Sequence, residues 1–383
     1  MKRRWKLLLG FLVVLLVAAA VGMHHGLRYP PLQWDPAPRP LHALSEEGWS
    51  VEAEGAYSRG VREGVLHFRA FVPEPSLSFR SNGAEFAKVV VENIHPDAFI
   101  YEDGLRDKAE GLQRTVSLPL KGTEQVTLSF KFPTRGRYRF AAIGDAGGGP
   151  QLRHCLERAK ELNADFVLHL GDIAYLEDDF ENGAKNFLQS PLPIYVTCGN
   201  HDFHGGHRNR HRFFSENFGP LNSGFALGEV HFLNLDTAAD LLWPWQGERG
   251  KLLEAFEETR AQHRAKWGDG PLPPLVVFTH RPLNDPRMTL GRRKKAHALN
   301  FQLEANWLRK KLLELEATVL LAGHIHESHH FNDEGLDTWI AGEGLSEGTT
   351  EASILIGEFG PGETPVFRWE PLNMPVEYTK WRH

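Results

Sequence analysis

Five short apolar runs in this chain each end on a side chain that can hold a cation. The run 138–143 leads into Gly144-Asp145, and 165–170 leads into Gly171-Asp172, with Tyr175 three residues further on. The run 192–198 leads into Gly199-Asn200-His201-Asp202, 275–279 into His280, and 317–322 into Gly323-His324-Ile325-His326. Short apolar runs closed by glycine read as buried strands of a parallel sheet, with sharp turns at their carboxyl ends. In open α/β sheets ligands bind outside those ends. One aspartate after a strand is often only the cap of the next helix. Five runs delivering Asp, Asn or His at the same kind of exit point instead to a metal site. The carboxylate of Asp172 has two oxygens and can bridge two cations, and a phenolate at Tyr175 can bind one of them. Oxygen donors mixed with imidazoles suit zinc, manganese or iron rather than a thiolate-type structural zinc site.

The series Gly-Asp-x-Gly, Gly-Asp-x-x-Tyr, Gly-Asn-His-Asp, Val-x-x-His and Gly-His-x-His resembles the calcineurin-like metallophosphoesterases over residues 138 to 345. Within them it is similar to the purple acid phosphatase branch. Gly147 stands where most relatives have a metal-binding His, and Tyr175 appears in the next motif, where in that branch a tyrosinate takes the iron position. The resemblance implies a first metal on Asp145, Tyr175 and His326, with Asp172 bridging to a second on Asn200, His280 and His324. The anionic phenolate and carboxylates favour Fe(III) at the first position, and Asn with two imidazoles suits Fe(II), Zn or Mn at the second. Two metals about 3.5–4 Å apart would supply a hydroxide to attack phosphorus and neutralise the phosphoryl oxygens.

His201 is not counted as a ligand: it faces the substrate, stabilising the transition state or protonating the leaving alkoxide, while Asp202 either orients its ring or caps a turn. The chain departs from its relatives at Thr289, where many carry a second substrate-facing His. His204, His207 and His297 are candidates to replace it, against the plainer reading of solvated histidines. Arg287 and the run Arg292-Arg293-Lys294-Lys295 either steer an anionic ester or form a solvated loop.

These residues need a scaffold, and 383 residues are enough for one large domain and a smaller one. A net charge of −6 gives no strong nucleic-acid or anionic-membrane footprint. Lys2-Arg3-Arg4-Trp5-Lys6 precedes an apolar stretch at 7–23, which reads as an uncleaved membrane anchor or a cleaved signal; either way the chain beyond is exported. Pro30, Pro31, Pro36, Pro38 and Pro40 make a stiff spacer. Period-two alternation then dominates 46–137: Leu66, Phe68 and Ala70 alternate with His67 and Arg69, and Val126, Leu128, Phe130 and Phe132 recur likewise. Asn82-Gly83 is a hairpin signal between 77–79 and 86–91. A small all-β, sandwich-like domain is expected there; without a ligand cluster, it serves as spacer or packing partner rather than substrate site.

From 138 onward strands alternate with helical patterns at 150–162 and 300–315, with further strands at 230–236, 336–341 and 354–359. This is an α/β chain with the four-layer α/β/β/α architecture of the resembled family. Gly147-Gly148-Gly149 lets backbone amides approach a phosphate or lets the chain clear the metals. Cys155 and Cys198 read as unpaired structural residues, and His329 and His330 as structural residues on the strand after the last motif. The expected organisation is 1–28 anchor or signal, 29–45 linker, 46–137 β domain, 138–370 catalytic domain and 371–383 tail. The main functional expectation is an exported phosphomonoesterase acting on a small phosphate ester. The alternatives are a Mn- or Zn-dependent phosphodiesterase, with Tyr175 a hydrogen bonder behind the metals, and a non-catalytic cell-surface binding protein.

Overall fold

The computed structural model describes residues 13–18, 43–46, 48–102, 105–120, 125–133, 136–176, 178–202, 210–238, 247–268, 270–289, 291 and 297–379. The first strands are β1 (Ala43–Glu46), β2 (Trp49–Glu54), β3 (Ala56–Arg62), β4 (Val65–Ala70) and β5 (Ser76–Ser81). Next come β6 (Phe86–Glu92), β7 (Phe99–Ile100), β8 (Asp107–Glu110), β9 (Gln113–Pro119) and β10 (Gln125–Lys131). They form two five-stranded sheets, β1-β2-β5-β10-β7 and β3-β4-β6-β9-β8. Leu77, Phe79, Leu128 and Phe130 from one sheet pack on Leu66, Phe68, Val89, Val91 and Val116 from the other, as alternation requires.

The hairpin expected at Asn82-Gly83 does not form. β5 pairs with β2 and β10, whereas β6 pairs with β4 and β9 in the opposite sheet. The turn carries the chain across the sandwich, with the amides of Asn82 and Ala84 both donating to the Gly48 carbonyl. Period-two alternation is equally satisfied either way, because both strands face the same core. Arg69 also departs from its expected outward place: it is 1% exposed, its guanidinium 5.7 Å from the Phe187 ring of the following domain.

The second domain holds β11 (Tyr138–Ile143), β12 (Phe166–His169), β13 (Ile194–Val196), β14 (Ser223–Leu227), β15 (Val230–Asn234) and β16 (Leu275–Phe278). After these come β17 (Val319–Ala322), β18 (Ser328–Asp333), β19 (Leu336–Ala341), β20 (Ser353–Phe359) and β21 (Val366–Pro371). Their sheets run β13-β12-β11-β20-β21 and β14-β15-β16-β17-β19-β18. The five donor-bearing runs are β11, β12 and β13, mutually parallel in the first sheet, and β16 and β17, parallel in the second.

Successive residues on these strands face different layers. Ala141, Ile143 and Val167 pack under the helices Pro150–Glu161 and Asp179–Leu188 through Leu152, Leu156, Ala159, Phe180 and Phe187. Phe140, Ala142, Phe166 and Leu168 meet Val276, Phe278, Val319 and Leu321 between the sheets. Val277 and Leu320 pack under the helices Glu248–Trp267 and Gln302–Glu314 through Leu253, Ala305, Leu308 and Leu312. The result is a four-layer α/β/β/α domain preceded by a small β sandwich. Burial of both strand faces explains why these runs are continuously apolar. Pro150 occupies the first turn of its helix, where a missing N–H costs nothing.

Cys155 and Cys198 are buried and unpaired, as expected. Among the described residues no helix is long and apolar enough to cross a membrane. Of the N-terminal apolar stretch only 13–18 are described, as an exposed helical segment, and most of the anchor and proline spacer lies outside the described residues.

The inter-sheet core is aromatic. Phe140 is fully buried, its ring centroid 5.6 Å from Phe166, 5.9 Å from Phe232 and 5.7 Å from Phe359. Phe140→Ala is expected to lower unfolding stability by about 3–5 kcal/mol in denaturant titration; a loss below about 1 kcal/mol would contradict this packing.

Candidate metal centre

Three of the strand exits turn through the left-handed backbone region at residues that are not glycine: Asp145 (φ 57°), Asp172 (φ 60°) and His324 (φ 67°). Such positions cost about 1–3 kcal/mol each and persist where surrounding contacts enforce them. At Gly199 the reason for glycine is direct, because a Cβ there would lie 2.1 Å from the Asp172 amide nitrogen and from its Oδ1.

Two groups of donor atoms result. In the first, the Tyr175 hydroxyl lies 3.1 Å from Asp145 Oδ1, 3.2 Å from Asp172 Oδ2 and 3.2 Å from His326 Nε2. In the second, His280 Nε2 lies 2.9 Å from Asn200 Oδ1 and 3.4 Å from Asp172 Oδ1, and Asp172, His280 and His324 offer donor atoms within 4.8 Å of one another. Asp172 thus gives one oxygen to each group. Metal–ligand bonds of about 2.0–2.2 Å place neighbouring donors about 3 Å apart, so both groups fit a cation, and the two share a carboxylate.

The electrostatics agree. Burial and the Asp145 and Asp172 carboxylates push the Tyr175 phenol well above its ordinary range, so a phenolate here requires a cation beside it. Burial works to raise Asp172, yet the charge and hydrogen bond of His280 beside it hold it well below the usual carboxylate range. Burial drives His324 well below the ordinary imidazole value, leaving it neutral and able to coordinate. For His326 burial opposes protonation, but Asp145 and Glu347 raise it to about 10.

Further contacts aim these groups. The Leu170 carbonyl lies 2.8 Å from His280 Nδ1, which turns Nε2 towards Asn200. Glu347 Oε1 lies 2.8 Å from His326 Nδ1 and does the same for that ring. Asp179 Oδ2 accepts the amides of Tyr175 (2.9 Å) and Leu176 (2.7 Å), fixing the loop that carries the phenol. The sequence reading missed Asp179 and Glu347. Asp179 opens a helix and could have been read as a cap, whereas Glu347 follows the last motif by some twenty residues and carries no pattern.

Of the expected site residues, Asp145, Asp172, Tyr175, Asn200, His280, His324 and His326 all come together here. His201 is half-buried, its amide donates to Asp172 Oδ1 at 2.8 Å, and its ring lies 4.4 Å from that of Tyr175. Asp202 is committed elsewhere than expected for a ring orienter. Its two oxygens accept four amides: Gly199 (2.7 Å), Asp172 (3.2 Å), Ile173 (2.9 Å) and Ala174 (3.1 Å). It ties two donor-bearing turns together, which is the turn-capping alternative.

His297 reaches the centre, its ring 4.2 Å from that of His324; His204 and His207 lie outside the described residues, and Thr289 ends a short helix, Pro286–Thr289. Arg287 does not steer substrate. It is 2% exposed and bonded to Asp285 and Glu327, because the carboxylate two residues ahead captures its guanidinium. The run Arg292 to Lys295 is outside the described residues. The glycine triplet serves close packing, since a Cβ on Gly148 would lie 1.8 Å from the Asp179 carbonyl oxygen. A Cβ on Gly147 would lie 3.7 Å from the Tyr175 ring, which fills the room beside it. His329 and His330 sit on β18, against Glu327 and stacked on Trp339.

Residues 138–328 match the calcineurin-like phosphoesterase family, and this part of the chain is a metallophosphoesterase domain. Among solved structures, a dimetal phosphatase from Danio rerio is similar over 61% of this chain and 96% of its own, at 10% identity and a TM-score of 0.42. GAP50, the anchor in the inner membrane complex of Plasmodium, is similar over 62% of this chain and 85% of its own, at 12% identity and 0.42. PhoD is similar over 76% of this chain and 82% of its own, at 10% identity and 0.40. None of the curated proteins matches the sequence.

Asp202→Asn keeps the shape but sets an NH2 group against backbone amides. It is expected to lower stability by about 1–3 kcal/mol in urea unfolding, the cost of unsatisfied buried donors; an unchanged midpoint would show that the four amides find other acceptors.

Proposed function

We propose that this chain is an exported, acid-phosphatase-like phosphomonoesterase with a dinuclear metal centre, similar to the purple acid phosphatases. The observation that carries the reading is the Tyr175 hydroxyl, within 3.2 Å of Asp145, Asp172 and His326. Those four groups would hold Fe(III), and Asp172, Asn200, His280 and His324 would hold Fe(II), Zn or Mn. When bound, the two cations would lower the pKa of a water and offset charge on the phosphoryl oxygens.

The chain's own residues supply the rest. Leu170 and Glu347 orient the His280 and His326 rings, so that their Nε2 atoms face the donor groups. His201 stands beside Tyr175 on a turn tied to Asp172, where its ring can donate a proton to the departing alkoxide. Burial lowers its pKa and the nearby Asp172 carboxylate works to raise it. The basic flank and the apolar stretch at the N-terminus support the export in this reading.

One observation favours a second reading, a Mn- or Zn-dependent phosphodiesterase. With its proton kept, the Tyr175 hydroxyl can hydrogen-bond the two carboxylates at 3.1 and 3.2 Å and need not be a ligand. Tyr175→Phe separates the two. An iron–tyrosinate centre loses its visible absorption band while the fold survives; a spectrum identical to the parent's moves Tyr175 behind the metals and supports the diesterase.

His201→Ala is expected to keep its metals and to lower kcat by roughly 10²–10⁴. The loss should be full for an alkyl phosphate and smaller for a nitrophenyl ester, whose leaving group departs without a proton. Equal losses would assign His201 to the phosphoryl oxygens, and loss of a metal would remove it from the proton-donor role.

A further inference from the structure

The β sandwich grips, at both ends, the segment that carries Asn200 and His201. β13 is the outer strand of its sheet. Its pairing with β12 is parallel with Val167 opposite Ile194 and is flanked by bonds to the Pro193 carbonyl and from the Thr197 amide, a register that leaves the N–H and C=O of Ile194 facing away from β12. Asn93 takes both: the Ile194 amide donates to Asn93 Oδ1 at 2.9 Å, and Asn93 Nδ2 donates to the Ile194 carbonyl at 2.9 Å. A side-chain amide offers one acceptor and one donor side by side, so Asn93 stands where a neighbouring strand would and closes the edge. The same Nδ2 also donates to the Ala70 carbonyl at 2.9 Å, which anchors the clamp in β4. Asn93 is 2% exposed and adopts φ 65°, a conformation that asparagine tolerates better than most residues.

At the far end the helix Arg210–Asn217 closes on Asn217, whose Oδ1 accepts from Arg59 Nη2 at 3.0 Å. Arg59 is itself fixed by Glu92, the residue before Asn93, through Nη1 at 2.9 Å. Between the two grips lie Asn200, within 2.9 Å of His280, and His201, against Tyr175. The seam is closed to bulk solvent around Arg69, Tyr57 and Tyr195, each at most 2% exposed. Hydrogen bonds in such surroundings hold their partners more firmly than in water.

We propose that the β sandwich is a positioning device for the Asn200–His201 turn, with Asn93 and Arg59 as its positioning residues. This rests on the two-metal reading above and gives the sandwich a role beyond that of a spacer. Asp145, Tyr175 and His326 come from turns that neither grip touches. Asn200 belongs to the second group alone, whereas the first feels the turn only through the shared Asp172, which the His201 amide contacts. Loosening a grip therefore weakens the second donor group more than the first.

The test uses the full chain, its Asn93→Ala variant and its Arg59→Ala variant. Each is titrated with Zn(II) or Mn(II) by calorimetry and followed by thermal unfolding. The parent is expected to bind two ions. Each variant should bind one ion about 10-fold more weakly, the low end of the effect of losing a contact outside the ligands, and the other ion with a smaller loss; equal weakening of the two would overturn the proposal. Two ions at parental affinity in both variants would overturn the proposal. So would a loss of both ions in step with the unfolded fraction. Should Asn93→Ala fail to fold, Arg59→Ala, at a partly exposed position, decides alone. Fewer than two ions on the parent would overturn the two-metal reading and this inference with it, a result distinct from any seen only in the variants.

Discussion

The Asp172 carboxylate is the constraint around which the site is arranged. It is 1% exposed, and a buried carboxylate is tolerated only with positive or hydrogen-bonding partners on both oxygens. One oxygen faces Tyr175, and the other faces His280 and the His201 amide. The backbone behind it is left-handed, and its amide is held by Asp202, which also binds the turn that carries Asn200. A small movement of Asp172 would thus disturb both donor groups together. Neither group is complete without it.

The layers decide where the other donors can be. The first sheet contributes Asp145, Asp172 and Asn200 at the ends of β11, β12 and β13; the second contributes His280 and His324 at the ends of β16 and β17. The two sets meet because the sheets stack through Phe140, Phe166, Phe232 and Phe359 with those ends aligned. A close-packed aromatic core compresses little, and here it fixes the sheet separation on which the donor distances depend. The sandwich then acts from the side, on the outermost of the donor-bearing strands.

Much of this was legible in the residues themselves. The five strand runs could be read because both faces of each strand are buried, which leaves no polar positions to blur the pattern. Helix limits came within two residues, 150–162 against Pro150–Glu161 and 300–315 against Gln302–Glu314. What failed was information that only tertiary contacts hold. Alternation at 77–91 fixes which face of each strand is buried but not which sheet the strand joins, so a crossing between sheets looked like a hairpin. Arg69 looked solvent-facing because alternation cannot foresee that a second domain covers the outer face of β4. Arg287 looked like part of a basic loop, although Asp285 two residues earlier was the signal that its charge is internally bound. Glu347 gave no signal at all, since its place beside His326 follows from the path of the chain between β19 and β20.

The central claim is that Asp172 joins two metal positions in one centre. X-ray absorption on the purified chain, loaded to saturation with iron or with zinc, measures this directly. The account predicts two ions per chain and a metal–metal scattering distance of about 3.5–4 Å. One ion per chain, or two ions with no metal–metal scattering at that distance, would contradict it.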